Sequence, residues 1–198
     1  MKNKRLWILV GGILLIGAAF LVLNFRLAAS NTQAMRKVVT TTLEGDMPES
    51  NQQPAKISLV LVGEGPMVRA LQKTLTQKLD NVGLGEIEVV DELKPTYQTP
   101  ILVVKVISSR SFWTPLFGIS QLSIHAGYAS NGDSTFMEVI EATQTSIGNP
   151  DHSVLNMYAE YDVDDRSLGM ISRPGYHQYL ADFIAQEILD ALKKLYNM

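Results

Sequence analysis

The sequence contains no cysteine. No disulfide can staple the fold, no thiolate can bind a metal or attack a substrate, and no cysteine side chain can carry a lipid. The fold must therefore rest on its own apolar core. Negative charge is missing from the first 43 residues, since all 20 Asp and Glu follow them. Positive charge is missing from Ser111 to Asp165, where eight acids stand without a Lys or Arg. Catalytic signatures are also missing. No serine sits in a G-x-S-x-G elbow, and His125, His152 and His177 lack the i, i+4 pairing of a helical zinc site. Gly63-Glu64-Gly65-Pro66 has the position of a phosphate loop, but Val68 stands where the dinucleotide fingerprint needs its third glycine, and the P-loop lysine is absent. Asp162-Val163-Asp164-Asp165 opens like a calcium loop. Arg166, Ser167 and Arg173 then occupy positions that require a ligand, a glycine and a glutamate, so a solvated acidic turn is expected. Order along the chain does not single out a carboxylate pair among Glu138, Glu141, Glu160 and Asp162. The expectation is a non-enzyme with no catalytic residue, cofactor or metal.

What is present begins with a long apolar run. Leu6 to Phe25 carries a single polar side chain, Asn24. A bilayer core of about 30 Å takes about 20 apolar helical residues. Lys2, Lys4 and Arg5 precede the run and Arg26 follows it, which favours a cytoplasmic N-terminus. Leu6, Trp7, Phe20 and Phe25 are the anchor residues expected to meet lipid, with Trp7 and Phe25 at the two interfaces. Ala28-Ala29-Ser30 offers the small residues of a cleavage site, but the run exceeds the usual 7–15 residues, roughly, of a signal h-region. A membrane anchor is the expectation. Beyond it, 13 Lys and Arg face 20 Asp and Glu. Such an acidic exported part is a poor partner for nucleic acid and is repelled by an anionic lipid surface.

The organisation then reads as residues 1–5 in the cytoplasm, 6–25 as transmembrane anchor, 26–55 as flexible tether and 56–198 as an extracytoplasmic domain. The tether assignment rests on Asn, Gln, Thr and Pro with few large apolar residues. Ile57 to Val62 is a β-branched run that predicts a buried strand. Val68, Leu71, Leu75, Leu79 and Val82 form one stripe of an amphipathic helix that opens on Pro66 and closes on Gly83. Glu86 to Val90 predicts a strand. Ile101 to Ile107 predicts a central one, because it is apolar on both faces. Leu122 to Tyr128 alternates, Asn131-Gly132 predicts a hairpin turn returning over Thr135 to Ala142, and Leu155 to Val163 alternates again. Tyr176 to Tyr196 predicts a closing helix. The fold class is α+β: an N-terminal transmembrane helix plus a two-layer sandwich of a mostly antiparallel sheet against two helices.

In the order of its elements from Lys56 to Met198, and in its expected export, the layout is similar to that of the small envelope-assembly lipoproteins that help lipopolysaccharide transport. The lipid-bearing cysteine of that family is missing here, and the resemblance implies architecture only. One connection stands out: Phe112-Trp113-Thr114-Pro115-Leu116-Phe117-Gly118-Ile119 is uncharged and rich in aromatics. Exposed apolar residues of this kind mark contact surfaces. Phe112, Trp113, Leu116 and Phe117 are thus the partner-contact candidates. The function expected is a membrane-anchored binding or assembly module, held to the membrane by its N-terminal helix and contacting an envelope protein or an apolar ligand. A carrier with its ligand between sheet and helices is the alternative, and an extracytoplasmic hydrolase the third reading.

Overall fold

The β-branched run at Ile57 to Val62 forms a strand, and the leucine stripe after Pro66 forms a helix laid across it. The computed structural model describes residues 2–39, 54–136 and 155–196 of the 198. In chain order the elements are α1 (Lys2–Val22), β1 (Arg26–Val39), β2 (Lys56–Val62), α2 (Pro66–Val82), β3 (Glu86–Val90), β4 (Ile101–Trp113), β5 (Phe117–Ala129), β6 (Leu155–Ile171) and α3 (Arg173–Leu195). The strands make one six-stranded sheet in the order β1-β6-β5-β4-β2-β3.

This sheet is mixed rather than mostly antiparallel. β2 pairs in parallel with both β3 and β4, whereas β4, β5, β6 and β1 are successively antiparallel. The parallel part follows from connection length: a helix separates β2 from β3, and a crossover of that length returns the chain in the same direction. Ile101, Leu102, Val103 and Val104 are fully buried in the middle of the sheet, as a strand apolar on both faces requires.

Both α2 and α3 pack on one face. Leu71, Leu75 and Leu79 of α2 and Leu180, Ile184 and Ile188 of α3 close over Leu59, Leu102, Val104, Ile124 and Met157. Each such side chain contributes roughly 1.5–3 kcal/mol by leaving water. The helix ends follow the sequence. Gly65, before α2, has φ 104°, which L side chains avoid. Ser172 caps α3 by accepting from the Gly175 amide at 3.1 Å, and Lys193 and Lys194 stand in its last turn, where cations suit the helix dipole. On the other face, among the described residues, Val60, Ile101, Val103, Phe136 and Tyr158 form a second cluster with Tyr97.

Several expectations are corrected. The tether reading of 26–55 fails for Arg26–Val39, which pair with β6 along their whole length, from Arg26↔Ile171 to Val39↔Tyr158. Residues 40–53 lie outside the described residues. The strand partner of β5 is β6 rather than a segment over Thr135 to Ala142, and from residue 137 that segment also lies outside them. β6 continues eight residues past Val163, so Asp162 to Asp165 lie in a strand and not in a turn. α1 ends at Val22, three residues short of Phe25. Among the described residues no helix is long and apolar enough to cross a membrane. The structure thus gives a helix at the anchor position.

Candidate functional site: the open face of the sheet

Alternation fixes what β1, β4, β5 and β6 present on the side away from the helices. On β6 the outward residues run Glu160, Asp162, Asp164, Arg166, Leu168, Met170. Register sets Lys37, Met35, Gln33, Asn31, Ala29 and Leu27 of β1 beside them. On the other flank come His125, Ser123, Gln121, Ile119 and Phe117 of β5. Beyond β5, Phe112 pairs with Ile119 and Arg110 with Gln121. Read from the β3 end of the sheet's long strands toward α1, the face passes from charges of both signs, Glu160 level with Lys37 and Lys105, through Asp164 level with Arg110 and then Arg166, to apolar.

The apolar end is uncovered. Leu27 is 74% exposed, Leu168 72%, Leu116 65% and Phe112 59%, and Met170 and Ile119 are exposed with them. Phe112 and Phe117 pack against one another, ring centroids 5.5 Å apart. The tip between β4 and β5 is a tight turn, because Pro115 presets its second position and the Thr114 hydroxyl accepts from the Phe117 amide at 3.1 Å. Gly169 and Ile171 of β6 donate to the Leu116 and Pro115 carbonyls at 2.8 and 3.0 Å, which pins the tip. Of the four contact candidates, Phe112 and Leu116 are exposed and Phe117 is half-buried. Trp113 is turned to the helix side, where its indole N–H donates to the Ile171 carbonyl at 3.1 Å.

The anchor candidates divide too. Trp7 is exposed on α1, while Phe20 is buried and meets Phe25 edge-to-face at 4.9 Å. The side chain of Leu6 lies outside the described residues. Phe25 is fastened to the start of α3. Its amide donates to the Ser172 hydroxyl (2.9 Å), and its carbonyl accepts from both that hydroxyl (2.9 Å) and the Ser172 amide (3.0 Å).

Beneath the apolar end, on the helix side, lies a polar group of residues that the acidic-turn reading missed. Asp165 is 1% exposed. Its carboxylate accepts from Thr32 Oγ1 at 2.6 Å, Ser167 Oγ at 2.9 Å and Tyr176 Oη at 2.8 Å. Behind these, Tyr179 bonds to Thr32, Ser30 to Ser167, and Arg26 to Ser30, with the Arg26 guanidinium stacked 3.7 Å over the Tyr179 ring. Burial, with Asp165 opposite, pushes the Tyr176 phenol up, so it stays a donor. The sequence signal was the alternation itself: continued past Val163, it turns Asp165 inward.

His125 lies on the open face, where its Nδ1 is 3.2 Å from the Tyr158 hydroxyl, which donates to Glu160 Oε1 at 3.0 Å. Burial, then the bond to Glu160, pushes the Tyr158 phenol up. Of the other candidates, Glu138, Glu141 and His152 lie outside the described residues. His177 is on α3, where burial and the charge of Arg173 hold its imidazole down. Among the described residues no group of three metal-ligating side chains comes together. Between sheet and helices the described space is filled by buried side chains. The depressions at Gly63–Arg69 and at Asn31, Gln121 and Arg166 open outward and are lined largely by polar groups.

No protein-family model and no curated protein sequence matches this chain. Among solved structures it is similar to a point-substituted PelC dodecamer from Paraburkholderia phytofirmans, at 11% identity over 81% of this chain and 97% of that one, with a TM-score of 0.46. It is also similar to a minor lipoprotein from Acinetobacter baumannii, at 13% identity over 72% and 94%, TM-score 0.32. The lipoprotein GNA1162 from Neisseria meningitidis matches at 10% identity over 69% and 99%, TM-score 0.37. At these values function has to be read from this chain's own residues.

Proposed function

We propose that the protein is a membrane-anchored, non-catalytic contact module of the cell envelope: α1 holds it in the membrane, and the open face of its sheet meets an envelope component outside the cytoplasm. The observation that carries this reading is the uncovered face itself. Large apolar side chains from four strands and one turn stand in water at one end of it, whereas the opposite face of the sheet is closed by two helices. A contiguous exposed apolar surface marks a contact site. The anchor reading is supported by the apolar run from Leu6 to Phe25, by the cations ahead of it, and by Ile8, Ile13, Leu14, Leu15 and Val22, which project from α1 uncovered. With no cysteine available for a lipid, such a helix supplies membrane attachment by itself.

The absence of cysteine also makes the test clean. A single cysteine at Gln77, on the outer side of α2, should react with a membrane-impermeant maleimide in intact spheroplasts of a bacterial host, and the chain should stay in the membrane pellet at alkaline pH. Labelling only after lysis would reject the extracytoplasmic placement. For the contact itself, photo-crosslinkers at Leu168 and Gln121 should give discrete envelope adducts, and one at Gln77 should give none. Equal behaviour at all three positions would remove the open face as the site.

A further inference from the structure

We infer that the apolar end of the open face lies in the headgroup layer of the same bilayer that holds α1, with the charged end directed away from it. This deepens the membrane-anchored reading and rests on it.

Three independent features converge. The first is the junction. Three residues separate Val22 from the start of the sheet at Arg26, and Phe25 is tied by three hydrogen bonds to Ser172 at the head of α3. With β1 replacing the first half of the expected tether, the sheet leaves the helix with no slack, so the end of the sheet nearest α1 is held at the membrane surface. The second is distance. A strand rises about 3.3 Å per residue, so Leu27 and Ala29, with Met170 and Leu168 opposite them, fall within roughly 10 Å of the strand's first residue. The interfacial layer on each side of the hydrocarbon is about 5–8 Å thick, and apolar faces of interfacial segments sink about 5–10 Å into it. The third is the order of charge. Leu27, Met170, Leu168 and Phe117 stand nearest the anchor, Arg166 comes next, and Arg110 level with Asp164, then Asp162, then Glu160 beside Lys37 are farther out. That is the sequence of environments met on leaving a membrane: acyl boundary, phosphate, water. A protein partner has no reason to follow the distance from α1, and a lipid surface does.

The experiment uses the full chain reconstituted in phosphatidylcholine vesicles containing phosphatidylglycerol, with one cysteine at a time carrying an environment-sensitive fluorophore. Leu116→Cys and Leu168→Cys report the apolar end, Asp162→Cys the charged end of the same face, and Ile13→Cys the helix. Labels at 116 and 168 should emit to the blue of the label at 162 and be quenched several-fold more by nitroxide lipids spin-labelled near the headgroup. If the label at 13 is quenched but those at 116 and 168 behave like that at 162, the inference falls and the anchor stands. If the label at 13 escapes lipid quenchers, the anchor reading fails and takes the inference with it. Blue-shifted labels at 116 and 168 that ignore lipid quenchers would mean that a second copy of the chain covers the patch, which also overturns it.

Discussion

Replacing Asp165 by alanine should cost the fold far more than the same change at its neighbour Asp164. Asp165 points to the helix side, 1% exposed, and accepts hydrogen bonds from Thr32, Ser167 and Tyr176. Without it, Thr32 can turn to Tyr179 and Ser167 to Ser30, since both pairs are already in contact. Tyr176, fully buried, loses its charged acceptor and keeps only the Ser120 hydroxyl beside it. One unsatisfied buried donor costs about 1–3 kcal/mol, and losing bonds to a carboxylate adds to that, so a total of about 2–4 kcal/mol is expected. For a chain of this length that lowers Tm by roughly 5–15 °C. Asp164 is exposed on the opposite face, and its replacement should stay within about 0.5 kcal/mol. The assay is thermal unfolding of the full chain in mild detergent, followed by Trp113 emission in a Trp7→Phe background. Equal midpoints for D164A and D165A would refute the account of Asp165 as the acceptor that holds β1, β6 and α3 together.

Other substitutions test other contacts. Gly118→Ala should destabilise by about 1–2 kcal/mol, because the added methyl would meet the Tyr176 ring at 2.7–2.9 Å, outweighing the usual gain from replacing a strand glycine; a raised Tm would contradict this. Ser172→Ala removes the α3 cap and two of the three bonds to Phe25 together and should cost about 2 kcal/mol, the upper end for a cap, while exposing residues 23–26 to protease; unchanged digestion would argue against the rigid junction. His177 is held below its usual 6.5 by burial and then by Arg173, so on acidification the unfolded chain takes up its proton first. Stability should therefore fall as pH drops through 6.5 toward the folded value, and His177→Gln should flatten that part of the curve. An identical slope in both proteins would remove His177 as the cause.

How legible each element was depends on how much apolar surface it buries per residue. α2 announces itself because every third or fourth residue is a leucine or valine meeting the core, and β4 because it is covered on both faces. β1 is an edge strand. Its inward residues, Ala28, Ser30, Thr32 and Ala34, are small or hydroxylated, and they meet α3 through a polar network rather than through leucines. Its composition is therefore that of a tether, although its backbone is fully engaged with β6. The same holds for the second half of β6, where the inward positions are Asp165 and Ser167 and the outward ones Leu168 and Met170. Polar-in and apolar-out inverts the usual code, so the alternation past Val163 reads as the end of a strand.

The candidate site was legible in part for the same reason. Phe112 and Leu116 stand out in sequence as apolar residues in a short connection, and they are exposed. Leu27, Leu168 and Met170, which complete the patch, are isolated apolar residues in polar stretches and carry no local signal. They become a surface only when β1, β5 and β6 are aligned in register, which brings Leu27 beside Met170, more than 130 residues away along the chain. By itself the sequence determined the local elements, the apolar N-terminal run, the absence of thiol chemistry and the excess of acids, since each of these is a property of neighbouring residues or of composition. Only the tertiary structure decided that the sheet is mixed, that β1 abolishes half of the tether, that Asp165 is buried, and that the exposed apolar residues gather at the end of the open face nearest α1, because each of these depends on which distant strands hydrogen-bond to which.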